Sequence, residues 1–135
     1  MTTIHAGAVG IGGRGLLILG PSGAGKSALA LMGLGARLVA DDRVILRVED
    51  GRLLADCPTA IRGRIEARGI GILRADAAGP VPLAQVVDLG QAETARLPPF
   101  RTTSVLGVDL PLVLGPMGPH LPSALMQLMR GGRCD

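Results

Sequence analysis

The sequence of 135 residues predicts an α/β fold with a β-rich body and few helices. Three observations carry this. A continuous apolar run ends in a glycine-rich turn that opens a helical segment. Only one other segment reads as helix. The remaining chain is a succession of short β-type runs punctuated by turn residues. The length is room for one domain, residues 1–135, large enough to bury a core without disulfides.

In chain order, Ile4 to Ile11 alternates loosely between apolar residues and glycine and predicts a strand ending at Gly12-Gly13. Gly15 to Leu19 is a continuous apolar run, the pattern of a strand buried on both faces. Gly20 to Lys26 is a glycine-rich turn, and Ser27 to about Gly35 reads as helix. A short strand, Arg37 to Ala40, ends at Asp41-Asp42. Val44 to Val48 and Arg52 to Ala55 flank Asp50-Gly51, a two-residue hairpin signal because both turn positions require positive φ. Arg64 to Arg68 and Ile70 to Leu73 read as extended, and Ala77 to Pro82 as a loop. Leu83 to Leu89 predicts a strand, followed by a polar segment from Gly90 to Phe100. Thr102 to Val108 and Leu112 to Leu114 predict strands, with Pro111 confining the second to an edge or a start. Ser123 to Arg130 is the last helix, with Ser123 as its N-cap.

Composition excludes several functions. Apolar residues make up 47% of the chain, too many for disorder. Phe100 is the one aromatic residue, so stacking on nucleic-acid bases has no platform. The net charge of +3 comes from basic residues scattered between Arg14 and Arg133, with no basic block or tail, which argues against nucleic acid as a partner. Cys57 and Cys134 are too few for a disulfide scaffold. The sequence carries neither a signal-peptide pattern nor a run of 18 apolar residues, so a cytoplasmic protein without membrane contact is expected. A mean hydropathy of +0.42 suggests apolar surface covered by other subunits.

Gly20-Pro21-Ser22-Gly23-Ala24-Gly25-Lys26-Ser27 matches the Gly-x4-Gly-Lys-Ser/Thr phosphate-binding loop, or P-loop, in full. Its glycines let successive backbone N–H groups curl round phosphate oxygens, and Lys26 can reach the β- and γ-phosphates. Ser27 supplies a hard oxygen suited to Mg²⁺. Gly20, Ser22, Gly23, Ala24, Gly25, Lys26 and Ser27 are therefore the expected nucleotide-binding set. Lys26 is the chain's one lysine, so the second lysine of a guanine-reading Asn-Lys-x-Asp segment is missing.

Phosphoryl transfer also needs groups that hold the metal and orient or deprotonate the attacking oxygen. Asp41 and Asp42 stand at a strand end that faces the nucleotide in such folds, and on an extended chain they point opposite ways. One would face the γ-phosphate, the other a metal-bound water or a neighbouring backbone. Arg64, Glu66 and Arg68 share one strand face, either as a surface salt-bridge ladder or as a metal-side carboxylate flanked by phosphate-binding arginines. His5, a lone histidine at the start of the first strand, reads as structural more readily than as part of the site.

Taken together, these segments resemble the catalytic domain of HPr kinase/phosphorylase, which phosphorylates a seryl side chain of the phosphocarrier protein HPr. The resemblance rests on Ile4-His5-Ala6, on Gly15 to Ser27, on Leu38-Val39-Ala40-Asp41-Asp42 and on Ile65-Glu66-Ala67-Arg68-Gly69-Ile70-Gly71-Ile72. It covers roughly residues 4 to 115, and its last block is the most family-specific. It implies ATP and Mg²⁺ as cofactors and HPr as partner. Asp41 would be the catalytic base, with His5 orienting it, and Lys26 would hold the phosphates. Ser27, Asp42 and Glu66 would be the metal-side ligands, and Arg96 would belong to a mobile active-site loop. It also implies a hexamer and, since a separate N-terminal domain is not present in this sequence, a short proteobacterial form. Ala6 and Ala28 depart from the family's usual Gly and Glu, and reverse phosphorolysis is left open. The competing readings are a small-molecule kinase of P-loop type and a nucleotide-binding regulator that transfers nothing.

Overall fold

A computed structural model describes residues 1–30 and 36–135. Its sheet is organised around one long strand, β9 (Val81–Ala92). On one side β9 runs parallel to β3 (Arg14–Leu19), with Leu17 opposite Val86 and Leu19 opposite Asp88. On the other side it runs parallel to β11 (Val108–Gly115), which is joined to β10 (Arg101–Val105) as a hairpin. At its start, Val81 and Pro82 pair antiparallel with β6 (Arg52–Asp56). The order across the sheet is completed by β5 (Arg43–Glu49) and β1 (Thr2–His5) beyond β6, and by β2 (Gly7–Ile11) and β4 (Ala36–Ala40) beyond β3. β7 (Arg64–Ala67) and β8 (Gly71–Arg74) form a separate two-stranded hairpin. Among the described residues the α-helices are α1 (Lys26–Ala30) and α2 (Leu121–Gly131), with a short 3-10 turn at Thr59–Ile61.

Successive residues of β3 and β9 serve opposite faces, which is why both read as continuous apolar runs. Leu16, Ile18, Val87 and Leu89 pack with Leu29 of α1 and with Leu125 and Met129 of α2. Leu17 and Val86 pack on the other face with Val44, Leu46, Leu53 and Leu110. Arg14 reaches from the start of β3 to donate to the Met129 carbonyl near the end of α2. The β5–β6 hairpin turns at Asp50 and Gly51, with φ of 52° and 75°, as Asp-Gly predicts.

The architecture is the expected β-rich α/β fold with few helices, but several boundaries differ. The run Ile4 to Ile11 is two strands, because β1 pairs with β5 while β2 pairs with β3 and β4. Ala6 marks the change of partner, donating its N–H to the Asp42 carbonyl. The run Thr102 to Val108 is broken by a turn at Leu106-Gly107, where Leu106 takes a φ of 49°. β9 begins within the expected loop and continues to Ala92. Pro111 lies inside β11, just before Leu112 begins the pairing with β9, so its missing N–H costs that ladder nothing. α2 starts at Leu121 rather than after Ser123. Pro122 sits in its first turn, where a fixed φ favours initiation, and His120 precedes it without a side-chain cap. The first helix is described from Lys26 to Ala30, and its expected continuation, residues 31–35, lies outside the described residues.

Candidate functional site

β3 delivers the chain at Leu19 into the glycine-rich turn, closed by the Ala24 N–H donating to the Pro21 carbonyl. Gly25 adopts a φ of 102°, and a Cβ there would lie 3.1 Å from Met117 Cγ, so both backbone and space require glycine. Lys26 is buried at 8% exposure, with Nζ donating to the carbonyls of Gly20 at 2.6 Å and Pro21 at 3.0 Å. Its ammonium is thus folded back over the turn.

Beside the turn, β4 ends at Ala40, and the next two residues part company. Asp42 takes a left-handed φ of 72°, which sends its side chain away from that of Asp41. Asp41 Oδ1 accepts the Ser27 hydroxyl at 2.8 Å, and its Oδ2 accepts the Glu66 backbone N–H at 3.2 Å. Asp42 Oδ1 lies 3.0 Å from Nδ1 of His5, both side chains being more than half exposed. The histidine expected beside Asp41 is therefore the partner of Asp42.

Opposite the turn stands the β7–β8 hairpin. Ile65 and Ala67 point inward and are buried, whereas Arg64, Glu66 and Arg68 point outward, as the alternation predicts. Between hairpin and turn lies a cavity of about 510 Å³. The turn contributes Ser22, Gly23, Gly25, Lys26 and Ser27 to its lining; the β1 and β4 ends contribute His5, Asp41 and Asp42; the hairpin contributes Glu66, Arg68 and Ile70.

Three expected residues stand outside this lining. Gly20 offers its carbonyl to Lys26, and Ala24 packs on the apolar core. Arg96 is exposed in the segment between β9 and β10. The base of that segment is fixed by Glu93, whose two oxygens take Arg101 Nε at 2.9 Å and Nη2 at 3.0 Å. Arg101 first, then the Ala95 and Thr94 amides, hold the Glu93 carboxyl below its ordinary range against an opposing desolvation.

Reading the sequence missed Met117 and the pair formed by Asp56 and Arg62. Met117 follows a strand with no motif to flag it, and nothing in sequence spacing links Asp56 to Arg62. Burial would raise the Asp56 carboxyl, but the Cys57 amide and the Arg62 guanidinium outweigh it and hold it below the usual value. Burial pushes the Cys57 thiol up, away from reactivity.

Among the described residues no three His, Cys, Asp or Glu side chains converge on a point, so a closed all-protein metal cage is not built here. The donor set of a serine hydroxyl touching a carboxylate suits Mg²⁺, which takes one or two carboxylates and completes its shell with water and phosphate oxygens. No helix among the described residues is long and apolar enough to cross a membrane.

Fold and cavity together define a class: a β-rich α/β domain whose cavity, lined by charged and hydroxyl side chains, opens at the carboxyl end of β3, where open α/β sheets bind their ligands. The model of the HPr Serine kinase C-terminal domain family matches residues 1–78, and the chain belongs to that family, which is one of enzymes. HPr kinase/phosphorylase of Clostridium tetani is 41% identical over 90 residues, covering 65% of this chain and 29% of that protein. The Thermoanaerobacter sp. protein of the same name is 51% identical over 74 residues, or 53% of this chain and 24% of its own. The chain thus spans between about a quarter and a third of the curated relatives it matches. The Hpr(Ser) kinase/phosphatase structure from Coxiella burnetii superposes with a TM-score of 0.81 at 28% identity, covering 96% of this chain and 89% of that one.

Proposed function

We propose that the chain is the catalytic domain of an ATP- and Mg²⁺-dependent protein-serine kinase acting on HPr, working in the cytoplasm as a hexamer. The observation that carries this reading is the meeting of Lys26, Ser27, Asp41 and Glu66 around one cavity, in a chain of this family.

The turn from Gly20 to Ser27 acts as a P-loop, offering backbone N–H groups to the phosphates while Lys26 swings from its own carbonyls onto the β- and γ-oxygens. Ser27, Asp42 and Glu66, which line the same cavity, would hold Mg²⁺, which neutralises phosphate charge. Asp41 accepts the proton of the acceptor serine as that oxygen attacks the γ-phosphorus. The new O–P bond forms as the bond to the β–γ bridging oxygen breaks, and ADP departs. His5 steadies Asp42, while Arg68 and the mobile Arg96 approach the transferred group or the incoming HPr.

One observation favours a second reading, a nucleotide-binding regulator without transfer: both Asp41 oxygens are already hydrogen-bonded within the protein. The deciding experiment incubates the chain with γ-labelled ATP, Mg²⁺ and HPr, using HPr with its acceptor serine changed to alanine as control. Label is expected on normal HPr alone. Asp41→Asn should cut transfer about 1000-fold while ATP still binds. No label on normal HPr despite proven ATP binding would sink the kinase reading.

A further inference from the structure

The hairpin that faces the glycine-rich turn is carried on an excursion from the main sheet. The chain leaves at Asp56, the last residue of β6, and returns at Gly79, ahead of β9. The two ends meet: a Cβ on Gly79 would stand 3.2 Å from Asp56 Oδ1. The same oxygen accepts the Cys57 N–H at 2.8 Å and Arg62 Nη2 at 2.8 Å, and Arg62 Nη2 also reaches the Cys57 carbonyl at 3.3 Å. One guanidinium therefore ties the end of β6 to the residue pair that leads into β7. Gly63, next in the chain, accepts the Ala75 N–H at 2.9 Å and closes the hairpin's base.

Packing alone does not fix where along its length the hairpin sits. Ile65 and Ala67 set which face points inward, but apolar contacts are non-directional and tolerate sliding. The bond from the Glu66 N–H to Asp41 Oδ2 is directional, and it fails if β7 shifts by about an ångström. The returning arm is held by Leu38, whose N–H donates to the Asp76 carbonyl and whose carbonyl accepts the Ala78 N–H. The outgoing arm, which carries Glu66, depends on Asp56 and Arg62. Neither of these two lines the cavity, so they act through the hairpin.

We infer that Asp56 and Arg62 are positioning residues for phosphoryl transfer, setting the height of β7 so that the Glu66 amide meets Asp41 and the Glu66 carboxylate faces the cavity. The kinetic part of this inference rests on the kinase reading above; the structural part does not.

The test combines amide hydrogen exchange with steady-state kinetics on the full chain. Arg62→Ala should lower protection of the Glu66 amide at least about tenfold, leaving the core amides of Leu17 and Val86 unchanged. It should also lower kcat for HPr phosphorylation about tenfold with KM for ATP within about twofold, the mark of a misplaced rather than a missing group. Arg62→Lys, whose single ammonium can serve both acceptors, should recover most of each loss. Unchanged Glu66 protection in Arg62→Ala, or lost protection with intact kcat, overturns the inference. Should Leu17 and Val86 also lose protection in Arg62→Ala, Arg62→Met replaces it and is read by the same two outcomes, since it keeps the apolar stem and removes the donors to Asp56 and Cys57. A wild-type chain that transfers no phosphate to HPr overturns the kinase reading, and the Glu66 exchange still decides whether Arg62 holds the hairpin.

Discussion

The turn after β3 and the β7–β8 hairpin face each other across one cavity, yet they obtain their shapes by different means. The turn is made of consecutive residues: positive φ at Gly23 and Gly25, a lysine folded onto carbonyls five and six residues earlier, and a helix starting at once. The hairpin is held from a distance, by Ile65 in the core and by Asp41 at Glu66, and only the link from Arg62 to Asp56 at its base is as local as those of the turn. A binding wall built from local backbone can be moved between folds as a motif. One built from tertiary contacts belongs to its own fold.

This contrast can be broken from either side. The largest effect is expected from Lys26→Ala, which should weaken ATP binding about 100-fold by removing a charge-assisted phosphate contact, measured by titration calorimetry. Hairpin amides should keep their protection in that variant; affinity retained within a few-fold would mean the turn is not the phosphate wall. Ile65→Ala comes next, costing about 2 kcal/mol through loss of a buried side chain. If the walls are independent, that loss appears in exchange at Arg64 to Ala67 and spares Leu17 and Val86. The smallest effect is a dependence on pH. Asp56 has a folded-state value below the ordinary carboxylate range, so its contribution is complete above about pH 4 and is lost as pH falls further through the folded value. Hairpin amides should accordingly open at a higher pH than those of β3 and β9 during acid titration. Simultaneous opening would show that the anchor adds nothing separate.

The same contrast explains what could be read in advance. Gly15 to Leu19 and Leu83 to Leu89 were legible because burial on both faces leaves an unbroken apolar run. Asp50-Gly51 was legible because few residue pairs accept two positive φ values in succession. The break at Ala6 was not, since no turn residue or proline separates β1 from β2 and the change lies in the strands they meet. Leu106 hid a turn because positive φ is uncommon for a residue of its kind. Within the site, the glycine-rich turn and the pair Asp41-Asp42 stood out as contiguous sequence. That His5 meets Asp42 depends on chain segments brought together only by folding.

The hairpins β2–β3, β5–β6 and β10–β11 each close over two residues, whereas the central pairing of β3 with β9 joins residues roughly seventy positions apart. Topology of this kind slows folding, because the long loop must close before its contacts repay the entropy lost. During synthesis β3 therefore leaves the ribosome well before its parallel neighbour exists, with one backbone edge unpaired. The turn that begins where β3 ends inherits that delay, and the nascent domain keeps this apolar edge open until β9 arrives.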